Sequence, residues 1–295
     1  MTDHSFYVTL FLEGKRRGIM FDLEKSVVID RNGDVQWAQG KVAVQGIAMS
    51  VYSFYVDGLL IDTGSSSLTE EFQSFFNEID IQQVALTHVH EDHAGNAAWI
   101  QKHKDVPIYV HRDSVDICAK DGEFLFYRKV LWGERPAFVA KPLGNTLQTN
   151  QATWDVIATP GHTTDHVAFY NRSIGAMFTG DLYVQSKTKV VLDEENVVHT
   201  LASLKHLLHY DFETVYCCHA GFLPDGRAKI IEKIAYLEEL EGNVRKLYNQ
   251  GYPIEEIAKA IFPRDYPITK VSGEQWSSKH MITAFIQQFS KESLR

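Results

Sequence analysis

Cysteine is scarce in this sequence, with three in 295 residues, two of them adjacent at Cys217 and Cys218. So few thiols cannot build a disulfide framework, and a reducing, cytoplasmic compartment is the expectation. Long apolar runs are missing as well: no stretch approaches the roughly 18 consecutive apolar residues of a membrane span, so no membrane partner is expected. Met1-Thr2-Asp3-His4 opens with neither a basic nor an apolar segment, which sets an export signal aside and leaves the acceptor sequence Asn171-Arg172-Ser173 without meaning. Positive charge is also in short supply, 29 Lys+Arg against 38 Asp+Glu for a net charge of −9. That balance disfavours a phosphate backbone and favours a small-molecule substrate. Internal repeats and low-complexity tracts are absent, which excludes a solenoid.

What is present is a hydrophobic fraction of 44%, enough at this length for a substantial core. The first sixty residues read as a strand meander: alternation over 5–12, strands at 27–30 and 35–37 joined across Asn32-Gly33, and strands at 50–56 and 59–61 joined across Asp57-Gly58. Strands and helices then alternate, with helical periodicity at 67–77, 94–104 and 198–210 and strands at 84–87, 108–111, 154–159, 166–170, 175–179 and 214–217. From 226 onward only helical patterns remain, at 230–248, 254–261 and 277–289, separated by Gly251, Pro253, Pro263 and Pro267. The class is mixed α/β (α+β) with a helical tail.

The chemistry concentrates in Thr87-His88-Val89-His90-Glu91-Asp92-His93, four potential metal ligands within six positions after an apolar strand. Extended backbone puts His88 and His90 on one face, and the turn into the next helix swings Asp92 and His93 toward a neighbouring point. Two ions fit such a set better than one. Imidazole with carboxylate suits borderline first-row divalent metals, and more candidates stand at later strand ends: His162, Asp181 and His219, each with a glycine close by.

In this order, Asp62, His88-x-His90-x-Asp92-His93, His162, Asp181 and His219 resemble the ordered motifs of the metallo-β-lactamase-fold superfamily, over about 42–221. The run Pro160-Gly161-His162-Thr163-Thr164-Asp165-His166 and the helical tail are most similar to the glyoxalase II-like hydrolases and the lactamase-B-like group with a C-terminal helical extension. The resemblance implies a four-layer αβ/βα sandwich over 1–224 and a helical extension over 225–295. It further implies one metal held by His88, His90 and His162, a second by Asp92, His93 and His219, Asp181 bridging, and Asp62 orienting a ligand from behind. Two divalent ions per chain are expected, Zn2+ foremost, with Mn2+ or Fe2+ as alternatives. Their shared hydroxide would attack a small ester, thioester or lactone, with Asp92 orienting it or passing a proton to the leaving group. A phosphodiesterase or endoribonuclease, and a mononuclear-iron persulfide dioxygenase-like oxidoreductase, are the alternative readings. Asp181 at the bridging position distances the chain from β-lactamases that use a cysteine there.

Substrate contacts are read from two places. The segment 123–138 interleaves Phe124, Phe126, Tyr127, Trp132 and Phe138 with Arg128, Lys129 and Arg135. It either covers the metal site, with Arg128, Arg135 and Trp132 touching substrate, or is a helix packing its aromatic side on a sheet. Tyr183 is a candidate donor to a developing oxyanion. His4, His103, His111, His199, His206, His209 and His280 are read as surface or core residues, His166 as packing in preference to support of a ligand, and Cys217 and Cys218 as packing. The stripe Ile230, Ile234, Leu237 and Leu240 is read as packing on its own domain, with a homodimer contact as the alternative.

Overall fold

The computed structural model describes residues 5–10, 19–44 and 47–292. The chain divides into two compact units, Met1–Leu143 with Thr149–Gln151, and Gly144–Gln148 with Ala152–Arg295. No helix among the described residues is long and apolar enough to cross a membrane.

The first unit holds an eight-stranded sheet in sequence order. Strands β1 (Ser5–Leu10), β2 (Ile19–Asn32), β3 (Val35–Val44), β4 (Ile47–Val56) and β5 (Leu59–Ile61) form the expected antiparallel meander. Residues 11 and 12 of the first predicted strand, and His4, lie outside the described residues. Strands β6 (Gln83–Ala85), β7 (Ile108–Val110) and β8 (Lys141–Pro142) extend the sheet in parallel. At the β4–β5 hairpin, Asp57 and Gly58 both take positive φ, 52° and 80°, as a two-residue turn of that kind requires. The β2–β3 turn sits one residue later than predicted, because Asn32 pairs with Val35 and the loop is Gly33-Asp34.

Helices α1 (Thr69–Glu78), α2 (Glu91–Ala94), α3 (Ala97–Lys104), α4 (Val115–Cys118) and α5 (Phe126–Trp132) belong to this unit. Phe72, Phe75 and Phe76 share one face of α1 and are buried, contributing roughly 1.5–3 kcal/mol each. The helix predicted over 94–104 is broken at Gly95-Asn96. The Asn96 side chain explains the break: its amide donates to the carbonyls of Thr63 (2.8 Å) and Ser65 (3.0 Å), tying the residue to the loop after β5. Gly95 permits the approach, since a Cβ there would lie 2.4 Å from the Ser66 backbone nitrogen.

The second unit holds a six-stranded sheet built from β9 (Thr146–Gln148), β10 (Thr153–Ala158), β11 (Val167–Asn171), β12 (Ala176–Phe178), β14 (Thr214–Cys217) and β15 (Gly221–Leu223). All its pairings are antiparallel except β12 with β14, which are linked through α6 (Val197–Leu207). Asn196 caps α6, its Oδ1 accepting from the N–H groups of Val198 and His199. Beyond the sheet come α7 (Gly226–Asn249), α8 (Ile254–Ile261), α9 (Pro267–Val271) and α10 (Ser278–Glu292), and a small ribbon pairs β13 (Val191–Leu192) with β16 (Trp276–Ser277). Ile230, Ile234, Leu237 and Leu240 of α7 are buried in one apolar cluster with Met177 and Val215 of the sheet, Leu204 of α6 and Phe285 of α10. The helices after 225 are thus grouped with the sheet that precedes them.

Candidate metal centre

In the first unit the donors stand at the C-terminal ends of the parallel strands. Asp62 follows β5 with φ at +57°. Its Oδ1 accepts from the Thr87 N–H (2.7 Å), and its Oδ2 accepts from the Thr87 hydroxyl (2.8 Å) and from His93 Nδ1 (2.8 Å). With Nδ1 protonated by that contact, a neutral His93 carries its lone pair on Nε2, the form a metal requires. The His93 carbonyl accepts from the N–H (2.7 Å) and hydroxyl (2.9 Å) of Thr63, so the end of β5 holds the 87–93 loop from two sides. His88 is set the same way: its Nδ1 lies 3.1 Å from the Thr87 hydroxyl, and its Nε2 lies 3.0 Å from His90 Nδ1. That separation is close to the ~3.3 Å expected for two nitrogens on one tetrahedral ion with bonds of about 2.0 Å. Asp92 Oδ2 is 3.8 Å from His93 Nε2. All five side chains are buried. Three imidazoles and two carboxylates packed out of water are a costly set without a cation between them, so the donors fit a divalent metal.

In the second unit three further donors converge. Asp181 Oδ2 lies 3.1 Å from His219 Nε2 and 3.4 Å from His162 Nε2. His162 and Asp181 are braced from behind. Glu195 Oε2 stands 3.3 Å from His162 Nδ1. His166 Nε2 accepts from the Asp181 N–H (3.1 Å), while its Nδ1 faces the Thr159 hydroxyl at 2.8 Å. Gly161, before His162, packs directly on the start of α6, where a Cβ would lie 2.6 Å from the Thr200 nitrogen.

A family model described as the metallo-beta-lactamase superfamily matches residues 48–219. This chain belongs to the metallo-β-lactamase superfamily. The chain is similar to a thioesterase of Emericella nidulans, 27% identical over 218 residues that make up 71% of this chain and 55% of that protein. A hydroxyacylglutathione hydrolase of Yersinia pestis is 30% identical over 138 residues, 46% of this chain and 47% of the hydrolase. The chain spans about half the length of these two curated relatives. A metallo-beta-lactamase family protein from Thermus thermophilus superposes with a TM-score of 0.61 at 18% identity, covering 92% of this chain and 94% of that one, which shows the shared fold.

The superfamily motif residues fall at strand ends, as their spacing suggests. The residues read as substrate contacts are placed differently. Arg128 Nε and Nη2 donate to the Glu91 carboxylate at 2.6 and 2.8 Å, and Glu91 is fully buried. Burial pushes the Glu91 carboxyl above its ordinary value, Asp92 adds to that, and Arg128 opposes both. Trp132 is 4% exposed and packs in the first unit's apolar cluster with Leu131 and Phe138. Arg135 is 2% exposed, donates to the Ile117 carbonyl and lies over the Phe138 ring. Helix α5 is itself fastened by the Ser67 hydroxyl to the Leu131 carbonyl (2.8 Å). These contacts bury Arg128, Trp132 and Arg135 within the first unit, Arg128 on a buried carboxylate, while Phe126 of the same helix is exposed. Tyr183 is buried, and its hydroxyl pairs with Ser186 Oγ at 3.0 Å. Cys217 and Cys218 are buried, as packing residues are.

Three partners escape the sequence reading. Glu91 reads there as a spacer between ligands, His166 reads as packing although its ring fixes the Asp181 backbone, and Glu195 carries no motif. Only His166, inside the Pro-Gly-His run, offers a signal.

Proposed function

We propose that this chain is a metal-dependent hydrolase of small acyl substrates, thioesters foremost. The observation that carries the proposal is the convergence of His162 Nε2 and His219 Nε2 on Asp181 Oδ2, a carboxylate oxygen set between two imidazoles. The motif order of the superfamily assigns His88, His90 and His162 to one ion, Asp92, His93 and His219 to a second, and Asp181 to both, with Asp62 orienting His93. Bound divalent ions, Zn2+ foremost, supply Lewis-acid polarisation of a carbonyl and a water of lowered pKa.

The chain's own residues do the rest. Asp62 fixes the His93 tautomer, and Glu195 does the same for His162 from its Nδ1 side. Asp92 is the group placed to hold or pass a proton, since its carboxylate lies on the ligand loop beside His93 Nε2. The thioesterase and hydroxyacylglutathione hydrolase names of the relatives support a thioester over a lactone, and the net charge of −9 supports a small substrate over nucleic acid. The test is elemental analysis of the purified chain followed by hydrolysis of a panel of acyl-thioesters, lactones and phosphodiesters. About two zinc or manganese ions per chain with thioester turnover is the expected result. One iron per chain with oxygen consumption on a persulfide would replace this proposal by the oxidoreductase reading.

A further inference from the structure

Helix α7 carries a lysine where its pattern calls for an apolar residue. Lys233 lies three residues after Ile230 and four before Leu237, on the face that enters the second unit's cluster, and is 4% exposed. Burial lowers its pKa to about 8, against the pull of Glu195, Cys217 and Asp181. A lone buried ammonium is unfavourable unless it holds something, and among the described residues its hydrogen-bond acceptor is the Tyr183 carbonyl.

That carbonyl belongs to a strained turn. Gln185 N–H donates to Tyr183 O at 2.6 Å across Val184, whose φ is +52°. A β-branched residue in the left-handed region persists only when its surroundings hold it there. The surroundings are one turn of α7, in which 232 and 233 are adjacent and 236 lies one turn beyond both. Lys233 donates to Tyr183 O, Glu232 Oε2 accepts from the Ser186 hydroxyl (3.0 Å), and the Tyr236 hydroxyl donates to Thr188 O (2.6 Å). Two residues before Tyr183 stands Asp181, fixed on its own N–H by His166.

We propose that Lys233 is a positioning residue: α7 straps the 183–188 loop through it, and the strap keeps the Asp181 carboxylate on the imidazoles of His162 and His219. The role rests on the reading of Asp181 as a metal ligand. It needs only a donor at Tyr183 O, so a neutral amide, one bond shorter, substitutes in part for the ammonium.

The full-length chain is tested as Lys233→Met and Lys233→Gln, each first stripped with a chelator. In Lys233→Met the Gln185 amide is expected to exchange with deuterium more than about tenfold faster, Zn2+ affinity measured against a chromogenic chelator to fall about 10–100-fold, and kcat to fall with KM unchanged. The thermal midpoint of the stripped variant is expected to equal or exceed that of the parent below about pH 8, since no ammonium is then buried, so the loss of Zn2+ affinity and its rescue by Lys233→Gln are the readouts that a purely structural lysine would not move. Lys233→Gln is expected to recover a measurable part of the exchange protection and affinity. Parental exchange at Gln185 together with parental Zn2+ affinity in Lys233→Met overturns the proposal. If Lys233→Met fails to fold, Glu232→Ala combined with Tyr236→Phe releases the other two contacts, and unchanged exchange there overturns it equally. A parent chain that takes up no metal refutes the proposed function, and the exchange comparison in stripped protein then decides the strap by itself.

Discussion

Arg128→Met separates two roles for the same guanidinium. If Arg128 is a substrate arm, the variant keeps its stability and loses affinity; if it exists to neutralise Glu91, the reverse holds. The geometry favours the second, since two parallel donors at 2.6 and 2.8 Å meet a fully buried carboxylate. Removing one partner of a buried pair costs about 3–5 kcal/mol, because the other charge is left without compensation. At roughly 2–4 °C per kcal/mol for a chain of this size class, the thermal midpoint should fall by about 6–20 °C. The deficit also depends on pH. Burial and Asp92 already push the Glu91 carboxyl upward, and without Arg128 it rises further. A folded-state value raised above the unfolded one means that the variant is least damaged below the unfolded carboxyl range and loses stability as pH climbs through the raised value.

Urea unfolding of chelator-stripped protein reads the loss, with segment-resolved hydrogen exchange assigning it to the first unit, since a chain of two units need not unfold in one step. Glu91→Gln combined with Arg128→Met should recover most of the stability, because no buried charge then remains at this pair. A loss under about 1 kcal/mol for Arg128→Met, with KM raised about tenfold or more, would refute this reasoning and restore the substrate arm.

Other perturbations test the centre itself. Asp62→Asn should leave the stripped protein folded yet weaken metal binding about 10–100-fold, as titrated against a chelator, because the amide no longer dictates the His93 tautomer. Asp181→Ala should lower both metal content by elemental analysis and thioester hydrolysis, whereas His111→Ala, whose ring accepts from the Asp113 N–H at the surface, should change neither. Stability should rise between about pH 8 and the ordinary lysine value of 10.5, by at most about 3 kcal/mol, as the unfolded chain comes to bind more protons than buried Lys233 with Glu195, Cys217 and Asp181 facing it. Unfolding curves of Lys233→Met across that window should lack this component.

The local features were legible because local physics decides them. Asp57-Gly58 announced its turn, the periodicity over 67–77 announced a helix, and glycines beside His162 and Asp181 marked sharp exits from strands. What stayed hidden joins positions far apart in the chain: Glu91 with Arg128 across 37 residues, and Lys233 with Tyr183 across 50. Such pairs leave one trace, a charged residue where the periodicity demands an apolar one. Lys233 in the α7 stripe carried that trace. Glu91 did not, since it fills a spacer position of the ligand motif.

Each donor set is arranged by groups that are not themselves ligands in the assignment above. Thr87 and Asp62 set the rings of His88 and His93, while His166 and Glu195 set Asp181 and His162. The ring nitrogens therefore have their tautomers chosen by hydrogen bonds formed on folding, before any ion arrives. A site organised in this way gives up little ordering entropy on binding, so most of the metal's interaction energy appears as affinity. The same organisation has a cost in the metal-free chain, because His88 with His90, and Asp92 with His93, are crowded out of water with their ligand atoms facing each other. Metal loading should consequently stabilise the fold as well as activate it, and any supporting residue that relaxes the crowding would trade metal affinity for stability of the stripped protein.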